Sequence, residues 1–165
     1  MSETIENLKA AFAGESQASR KYAAFAKKAE EEGYPQVAKL FRAASQAEMV
    51  HAYNHLKAMG GIQDTADNLR AAIAGETYEV TDMYPPFIAT AEEEENKKAR
   101  NSFFWAMEVE KVHAALYAKA LEALAYPAEN VEIYVCPVCG YTHEGTPPEK
   151  CPVCGTPGKR FGLVE

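Results

Sequence analysis

The sequence lacks an apolar run of the ~18 residues that suggests a membrane span, an N-terminal basic segment followed by an apolar one, and any cysteine before position 136. The first two absences predict a chain that neither crosses a membrane nor carries an obvious export signal. No strand, glycine-rich turn and helix follow one another in the order that binds dinucleotides, so we expect no direct binding of NAD(P)H. The surplus of 24 acidic over 17 basic residues argues against nucleic acid as a partner.

The sequence has the composition of a globular protein, and its apolar residues are spaced as in helices. The chain has 165 residues, 47% of them apolar and 25% charged, which suits one domain or a domain with a small appendage. Apolar residues recur every three or four positions from residue 3 to about 125, with breaks at Gly33, Gly60-Gly61 and Pro85-Pro86. This pattern predicts a bundle of four long helices in residues 1–126. A linker over 127–130 and a small module over 131–165 complete the predicted organisation.

Two copies of one short pattern lie about 61 residues apart. Residues 11–16 read A-F-A-G-E-S and residues 72–77 read A-I-A-G-E-T, and each copy is followed by a Glu-x-x-His pair. Positions i and i+3 share one face of a helix, so each pair can aim a carboxylate and an imidazole at one point. The two halves predict a site for two iron or manganese ions inside the bundle, with the ligands Glu15, Glu48, His51, Glu76, Glu110 and His113.

Five glutamates lie on the apolar stripes of the predicted helices: Glu15, Glu48, Glu76, Glu79 and Glu110. Burying an unpaired carboxylate at such a position would cost several kcal/mol. Four of them belong to the repeat, and the fifth, Glu79, corresponds to Ala18 in the first half. Glu79 is therefore a candidate metal ligand on one side only. With five carboxylates, the site would have the same formal net charge whether it held two ferrous ions or two ferric ions joined by an oxo bridge. We expect the apolar residues of these stripes, among them Phe25, Val37 and Leu40, to face the core.

All four cysteines lie in two matching C-P-V-C-G segments: Cys136, Cys139, Cys151 and Cys154. Paired C-x-x-C motifs predict a tetrahedral site in which four thiolates hold one metal ion. Two disulfides are the alternative, which the absence of a signal peptide disfavours. Residues 131–165 are too few to fold on an apolar core alone, so the metal contributes to their folding. The cysteines do not distinguish zinc from iron.

Together these motifs resemble the rubrerythrin family over the full length of the chain. The matching segments are A-F-A-G-E-S-Q-A, E-M-V-H, G-E-T-Y-E-V-T-D-M-Y-P, E-K-V-H and the two C-P-V-C-G knuckles. The resemblance implies an all-α, ferritin-like four-helix bundle and a small metal-stabilised, rubredoxin-like domain of strands and loops. It implies two irons held by the six repeat ligands and Glu79, and one iron held by the four cysteines, with zinc as an alternative occupant of either site after isolation.

The resemblance also implies a peroxidase that reduces hydrogen peroxide to water as a defence against oxidative stress, with electrons drawn through the four-cysteine iron. One iron would exchange Glu79 for His51 on reduction. Tyr22 and Tyr84 would lie just outside the ligands, although simple core packing is the alternative for both. The electron donor would be a rubredoxin or an NAD(P)H-dependent reductase in the cytoplasm. His55 and His143 match no ligand position.

Other functions stay open on the sequence alone. A ferroxidase or iron-storage protein could use the same bundle, but it would not need an electron-transfer module. The tail could instead be a zinc ribbon that makes protein contacts beside a passive metal-holding bundle. Within the enzymes, dioxygen could replace peroxide as the oxidant.

The short connection between the second and third helices departs from ferritin-like topology. That topology needs a crossover along the length of the bundle, whereas the six residues 60–65 reach roughly 20 Å, short of the ~30 Å that a 20-residue helix spans. Two arrangements satisfy this limit. A homodimer could exchange helix pairs between its chains, so that each metal site draws ligands from both, or one chain could form an up-down-up-down bundle. We favour the exchanged dimer, because it keeps the metal geometry of the family.

Overall fold

The computed structural model describes residues 2–126 and 130–165, and its contacts divide the chain between Gln63 and Asp64 into two compact units. The first unit consists of α1 (Glu3–Glu31) and α2 (Pro35–Ala58). The second unit contains three α-helices, a π-helical turn, a short 3-10 helix (Gly158–Arg160) and a three-stranded sheet, with the bounds α3 (Thr65–Tyr78), π-turn (Glu79–Met83), α4 (Tyr84–Glu93), α5 (Lys97–Ala123), β1 (Ile133–Val135), β2 (Thr142–Glu144) and β3 (Gly162–Val164). Helical segments followed by a small cysteine-bearing sheet confirm the predicted fold class. No helix in the described residues combines the length and the apolar character that crossing a membrane requires.

Local sequence signals set where the helices begin. Pro35 stands in the first turn of α2, where the missing N–H leaves no intrahelical hydrogen bond unmade. The side chain of Asp64 caps α3 by accepting a hydrogen bond from the N–H of Asp67 at 2.9 Å. Asn96 caps α5 in the same way, accepting from the N–H of Ala99 at 3.1 Å.

Small side chains let α1 and α2 pack closely against each other. The hydroxyl of Ser19 donates to the carbonyl oxygen of Ser45 at 2.9 Å, and the hydroxyl of Ser45 donates to the carbonyl oxygen of Ser19 at 2.8 Å. Ser19 is fully enclosed, and the other buried residues of these two helices are all alanines: Ala26, Ala29, Ala38 and Ala52. The core of the first unit therefore consists of small residues.

The expectation that the large apolar residues of the first unit face a core is wrong for three of them. Phe25 is 47% exposed, Val37 44% and Leu40 67%. Two helices that pack through serine and alanine have no wide seam between them in which such side chains could be buried. These residues give the first unit an apolar surface of its own.

The repeat continues through the second unit with one added residue. Tyr22 follows Glu15 by seven residues, whereas Tyr84 follows Glu76 by eight. The helix absorbs the extra residue as the π-turn, where the N–H of Tyr84 donates to the carbonyl oxygen of Glu79 five residues earlier. Pro85 and its neighbouring proline, expected to kink or break the helix, stand instead in the first turn of α4, where proline is best tolerated.

The C-terminal module is a small antiparallel sheet around the cysteines. The strand order is β2-β1-β3, and Tyr134 on β1 lies opposite His143 on β2 and Leu163 on β3. Cys136, Cys151 and Phe161 form its buried cluster. The predicted linker over 127–130 falls largely outside the described residues, which omit 127–129.

Replacing Ser19 by leucine should destabilise the first unit by about 1–3 kcal/mol, the usual cost of overpacking. The larger side chain would have to enter the space in which α2 lies within hydrogen-bonding distance of α1. Urea unfolding followed by far-UV circular dichroism measures the change. The neighbouring exposed substitution Arg20→Leu is the matched control and should shift stability by less than about 0.5 kcal/mol. Equal losses in both variants would contradict the close packing.

Candidate metal centres

The first unit brings together three of the predicted ligands: Glu15 from α1, and Glu48 and His51 from α2. Nδ1 of His51 lies 2.7 Å from Oε2 of Glu48, as the i, i+3 spacing on one helix face requires. One donor atom from each of the three residues lies within 4.8 Å of the others. The carboxylates are partly buried, but the side chain of His51 is 53% exposed. This group, which we call the first half-site, has donors that suit a divalent cation.

The second unit holds the corresponding group from the second copy of the repeat. Glu76 comes from α3, and Glu110 and His113 come from α5, with donor atoms again within 4.8 Å of one another. Nδ1 of His113 lies 2.6 Å from Oε2 of Glu110. This second half-site is more enclosed than the first, because the side chain of His113 is only 25% exposed.

Glu79, the candidate ligand without a counterpart, begins the π-turn. It lies close enough to Glu76 and His113 for their charges to act on its carboxyl group, although it stands outside the tight group formed by Glu76, Glu110 and His113. A π-turn shifts the residues after it around the helix axis relative to an α-helix. The added residue and the added carboxylate therefore occur at the same place in the chain.

The acids of the second half-site repel one another. Burial raises the pKa of Glu76 above its ordinary value of 4.5, and the neighbouring charge of Glu110 raises it further. Burial likewise raises the pKa of Glu79, with Glu76 as the main charged neighbour. Both shifts describe the protein without bound metal. They show carboxylates placed where a cation or a proton is needed to balance them.

Each half-site is accompanied by a tyrosine in a matching cluster of three aromatic rings. Tyr22 lies 6.2 Å from the rings of both Phe25 and Phe41. Tyr84 lies 6.4 Å from Phe87 and 6.3 Å from Phe103, so the clusters repeat with the halves of the sequence.

Tyr84 also lies within the electrostatic influence of the second half-site. Burial raises the pKa of its hydroxyl group above the ordinary 10.0, and the charges of Glu79, Glu110 and Glu76 raise it further. Its hydroxyl group is therefore protonated at neutral pH and can act as a proton donor. Of the two tyrosines singled out from the sequence, this is the one that lies within the electrostatic influence of predicted ligands.

The four cysteines converge as a tetrahedral metal site requires. Sγ of Cys136 lies 3.6 Å from that of Cys154, and Sγ of Cys139 lies 3.5 Å from that of Cys151. Four thiolates about 2.3 Å from a central metal would be separated by about 3.8 Å, whereas a disulfide would require about 2.05 Å. The geometry therefore fits one metal ion and excludes the disulfide alternative for these pairs.

Burial raises the pKa of the Cys139 thiol well above its usual range. Without a metal ion this residue is a neutral thiol at physiological pH. Metal binding to the module must therefore release a proton from it, which makes the affinity for the metal pH-dependent.

Thr142 touches the second half-site but was not singled out from the sequence. Its hydroxyl oxygen lies 2.8 Å from Nε2 of His113, although the two residues are 29 positions apart. No motif marks a threonine in this position, because its role depends on how β2 lies against α5. The two remaining histidines, His55 and His143, belong to neither half-site.

Family profiles match almost the whole chain. The profile described as rubrerythrin matches residues 6–121, and that of the rubredoxin-like domain of rubrerythrin matches residues 134–162. The chain is 42% identical to nigerythrin of Nitratidesulfovibrio vulgaris over 96% of this chain and 85% of that protein. It is 35% identical to rubrerythrin-2 of Clostridium acetobutylicum over 96% of this chain and 95% of that protein.

Solved structures of nigerythrin are also similar to this chain. The structure of its mixed-valence state matches with a TM-score of 0.59 at 40% identity, covering 99% of this chain and 88% of that one. The structure of its fully reduced, all-ferrous state matches with the same values.

Glu76→Gln should make the metal-free protein more stable at pH 7, because it removes a carboxylate whose ionisation the folded state resists. Because the pKa of Glu76 is raised in the folded state, ionisation of its carboxyl group destabilises the fold. This loss of stability is fully present above the raised pKa and disappears below the ordinary value of 4.5. The advantage of the variant over the natural chain should therefore shrink as the pH falls from 7 towards 4.5. Urea unfolding in the presence of a chelator measures it at each pH. The exposed substitution Glu122→Gln is the control, and a similar pH-dependent gain there would argue against repulsion within the half-site.

Proposed function

Because the chain belongs to the rubrerythrin family, we propose that it is a di-iron peroxidase that reduces hydrogen peroxide to water. The observation that carries this proposal is the presence of a carboxylate–histidine half-site and a four-cysteine module in one compact unit. The first suits the binding and reduction of a small oxidant, and the second suits one-electron transfer. An iron-storage protein has no need for the second.

The residues present fit both metal centres. Two irons would be held by Glu15, Glu48, His51, Glu76, Glu79, Glu110 and His113, and a third iron by the four cysteines. When bound, the irons would supply the two electrons that peroxide reduction requires, and the four-cysteine site would supply one-electron transfer. The electrons reach the chain from a separate donor, a rubredoxin or an NAD(P)H-dependent reductase.

The chain's own groups can supply the protons. Hydrogen peroxide takes up two electrons and two protons to give two molecules of water. Tyr84 carries a protonated hydroxyl group beside three carboxylates, and the raised pKa of Glu79 makes that carboxyl group easier to protonate. We assign both to proton transfer during O–O cleavage, with Tyr22 in the matching position on the first half.

His51 and Glu79 would exchange as ligands of one iron. His51 is more than half exposed, and within the described residues its Nε2 makes no hydrogen bond that would hold the ring in place. Glu79 stands beside the tight group of the second half-site without belonging to it. Both side chains are therefore able to move towards or away from a metal ion.

We propose further that the protein is a homodimer in which each di-iron site combines the first half-site of one chain with the second half-site of the other. Residues 59–64 connect α2 to α3 and reach about 20 Å, whereas the 24 residues of α2 span about 36 Å. A ferritin-like crossover along the bundle is therefore too long for this connection. A second chain supplies the missing pair of helices.

Open faces beside the ligands support this arrangement. Gly14 and Gly75 precede Glu15 and Glu76, and a Cβ atom added at either glycine would meet no described side chain or neighbouring element within 4 Å, its adjacent residues aside. The exposed Leu40 and Val37 give α2 an apolar surface as well. A partner helix pair would cover both kinds of surface.

Tyr84→Phe should slow reoxidation of the fully reduced protein by hydrogen peroxide by about 10²-fold, the lower range of what a positioned proton donor contributes. Anaerobic stopped-flow absorbance follows the reaction through the visible bands of the ferric four-cysteine centre. Tyr126→Phe, at a position 75% exposed, is the matched control and should react at the natural rate.

The same instrument tests the oxidant. Rapid reoxidation of the natural protein by peroxide with a slow response to dioxygen agrees with the proposal. If dioxygen reacts as fast as peroxide, or if the four-cysteine site holds zinc and shows no ferric bands, the peroxidase assignment fails.

Mixing two inactive variants should restore activity if half-sites combine across chains. In a heterodimer of Glu15→Ala and Glu110→Ala chains, one site would contain both substitutions and the other would contain neither. We therefore expect half of the natural metal content of the carboxylate–histidine sites and half of the natural turnover per dimer, with the four-cysteine sites still filled. Heterodimers purified through two different affinity tags provide the sample, and each homodimeric variant is the control. Heterodimers as inactive as both homodimers would place each site within one chain.

A further inference from the structure

The hydroxyl group of Thr142 joins the four-cysteine module to the second half-site through a directional pair of hydrogen bonds. On one side, Thr142 Oγ1 donates to the carbonyl oxygen of Gly140 at 3.1 Å. On the other side, the same oxygen lies 2.8 Å from Nε2 of His113. A carbonyl oxygen can only accept, so Thr142 is the donor in the bond to Gly140, and its oxygen is then free to accept from Nε2.

The bond from Thr142 to Gly140 favours one tautomer of the imidazole. When the hydroxyl proton points to Gly140, Thr142 Oγ1 accepts from Nε2, and Nε2 carries the proton of a neutral His113 ring. The lone pair then lies on Nδ1, which faces Oε2 of Glu110 at 2.6 Å. Two electron-rich atoms at that separation repel each other unless a cation or a proton lies between them.

Gly140 holds its carbonyl in place through the turn that surrounds the cysteines. Its φ of +84° is in the left-handed region that glycine adopts at little cost. Its N–H donates to the carbonyl oxygen of Cys136 at 3.0 Å, and the N–H of Cys136 donates to the carbonyl oxygen of Tyr141 at 2.9 Å. The acceptor for Thr142 is therefore part of the same turn that presents Cys136 and Cys139.

Further contacts hold β2 against α5. Lys119 on α5 pairs with Glu144, two residues beyond Thr142 on β2. Val109, the most deeply buried large side chain of α5, lies in van der Waals range of the Gly140 backbone, with 3.9 Å between its Cγ1 and a Cβ placed on that glycine. Thr142 is thus held on both sides of its contact with His113.

We infer that Thr142 is a positioning residue for the metal site: its hydroxyl group holds the His113 ring with Nε2 protonated and Nδ1 aimed at the metal beside Glu110. The inference rests on the metal-binding part of the proposed function and is independent of which oxidant is reduced. Groups that orient metal-bound histidines typically contribute 10–100-fold to metal affinity. His51 makes no equivalent contact within the described residues, so the effect belongs to one of the two halves only.

The test is a Co²⁺ titration of the full-length protein with iron retained in the four-cysteine site and the carboxylate–histidine sites emptied. We expect Thr142→Val to weaken Co²⁺ binding by about 10–100-fold and Thr142→Ser, which keeps the hydroxyl group, to bind like the natural chain. Thr146→Val, at an exposed threonine of the same module, is the matched control. An unchanged affinity in Thr142→Val, or an equal loss in Thr146→Val, overturns the inference.

A second measurement reports the hydrogen bond directly. The chain has four histidines, so ¹⁵N-histidine NMR of the Zn²⁺-loaded protein can be assigned by substitution. The Nε2–H proton of His113 should exchange slowly with water in the natural chain and in Thr142→Ser, and rapidly in Thr142→Val. A non-protonated Nε2 in the natural chain overturns the inference.

Two further outcomes have distinct meanings. Loss of the ferric four-cysteine absorbance in Thr142→Val also overturns the inference, because the residue would then be required for the module to fold. If the natural chain binds no Co²⁺ at this site, the metal-binding part of the proposed function fails together with the inference.

Discussion

Repulsion among carboxylates gathered at one point is the constraint on which the rest of this structure depends. In addition to burial, the charge of Glu110 raises the pKa of Glu76, that of Glu76 raises the pKa of Glu79, and all three carboxylates raise the pKa of Tyr84. This concentration of acids lowers the stability of the metal-free protein at neutral pH, and cations between the carboxylates would remove that penalty. The repeated helix pairs, the tyrosines beside them and the four-cysteine module all make sense as parts built around those cations.

The two halves of the repeat share their ligands but differ in how firmly these are held. In the second half, a π-turn presents Glu79, and Thr142 holds His113. The first half has neither feature, and His51 is about twice as exposed as His113. The second half therefore holds its histidine more firmly than the first, although both halves contain the same sequence pattern. The residue added in the π-turn and the contact from Thr142 account for much of this difference between the halves.

The sequence was sufficient to predict the helices and which glutamates, histidines and cysteines come together in groups, because each depends on short-range spacing. Positions i and i+3 on a helix face one way whatever the rest of the chain does. It was not sufficient for Thr142, whose partner is 29 residues away, since that contact depends on how β2 lies against α5. The sequence also led to the wrong expectation that Leu40 faces a core. Apolar periodicity indicates that one face of a helix is buried, but not whether it is buried against the same chain or another one.

The composition of the second unit bears on the route of the electrons. His113 and the four-cysteine module lie in the same unit of one chain, connected through Gly140 and Thr142 by hydrogen bonds. In the dimer proposed above, the partner contributes the first half-site, but this connection needs no residue of the partner. The di-iron site would thus be shared between chains, whereas the path from Cys139 to a metal-bound His113 would remain within one. A heterodimer with one intact site then needs its four-cysteine module only on the chain that supplies His113, because that is the chain whose Thr142 reaches the ligand.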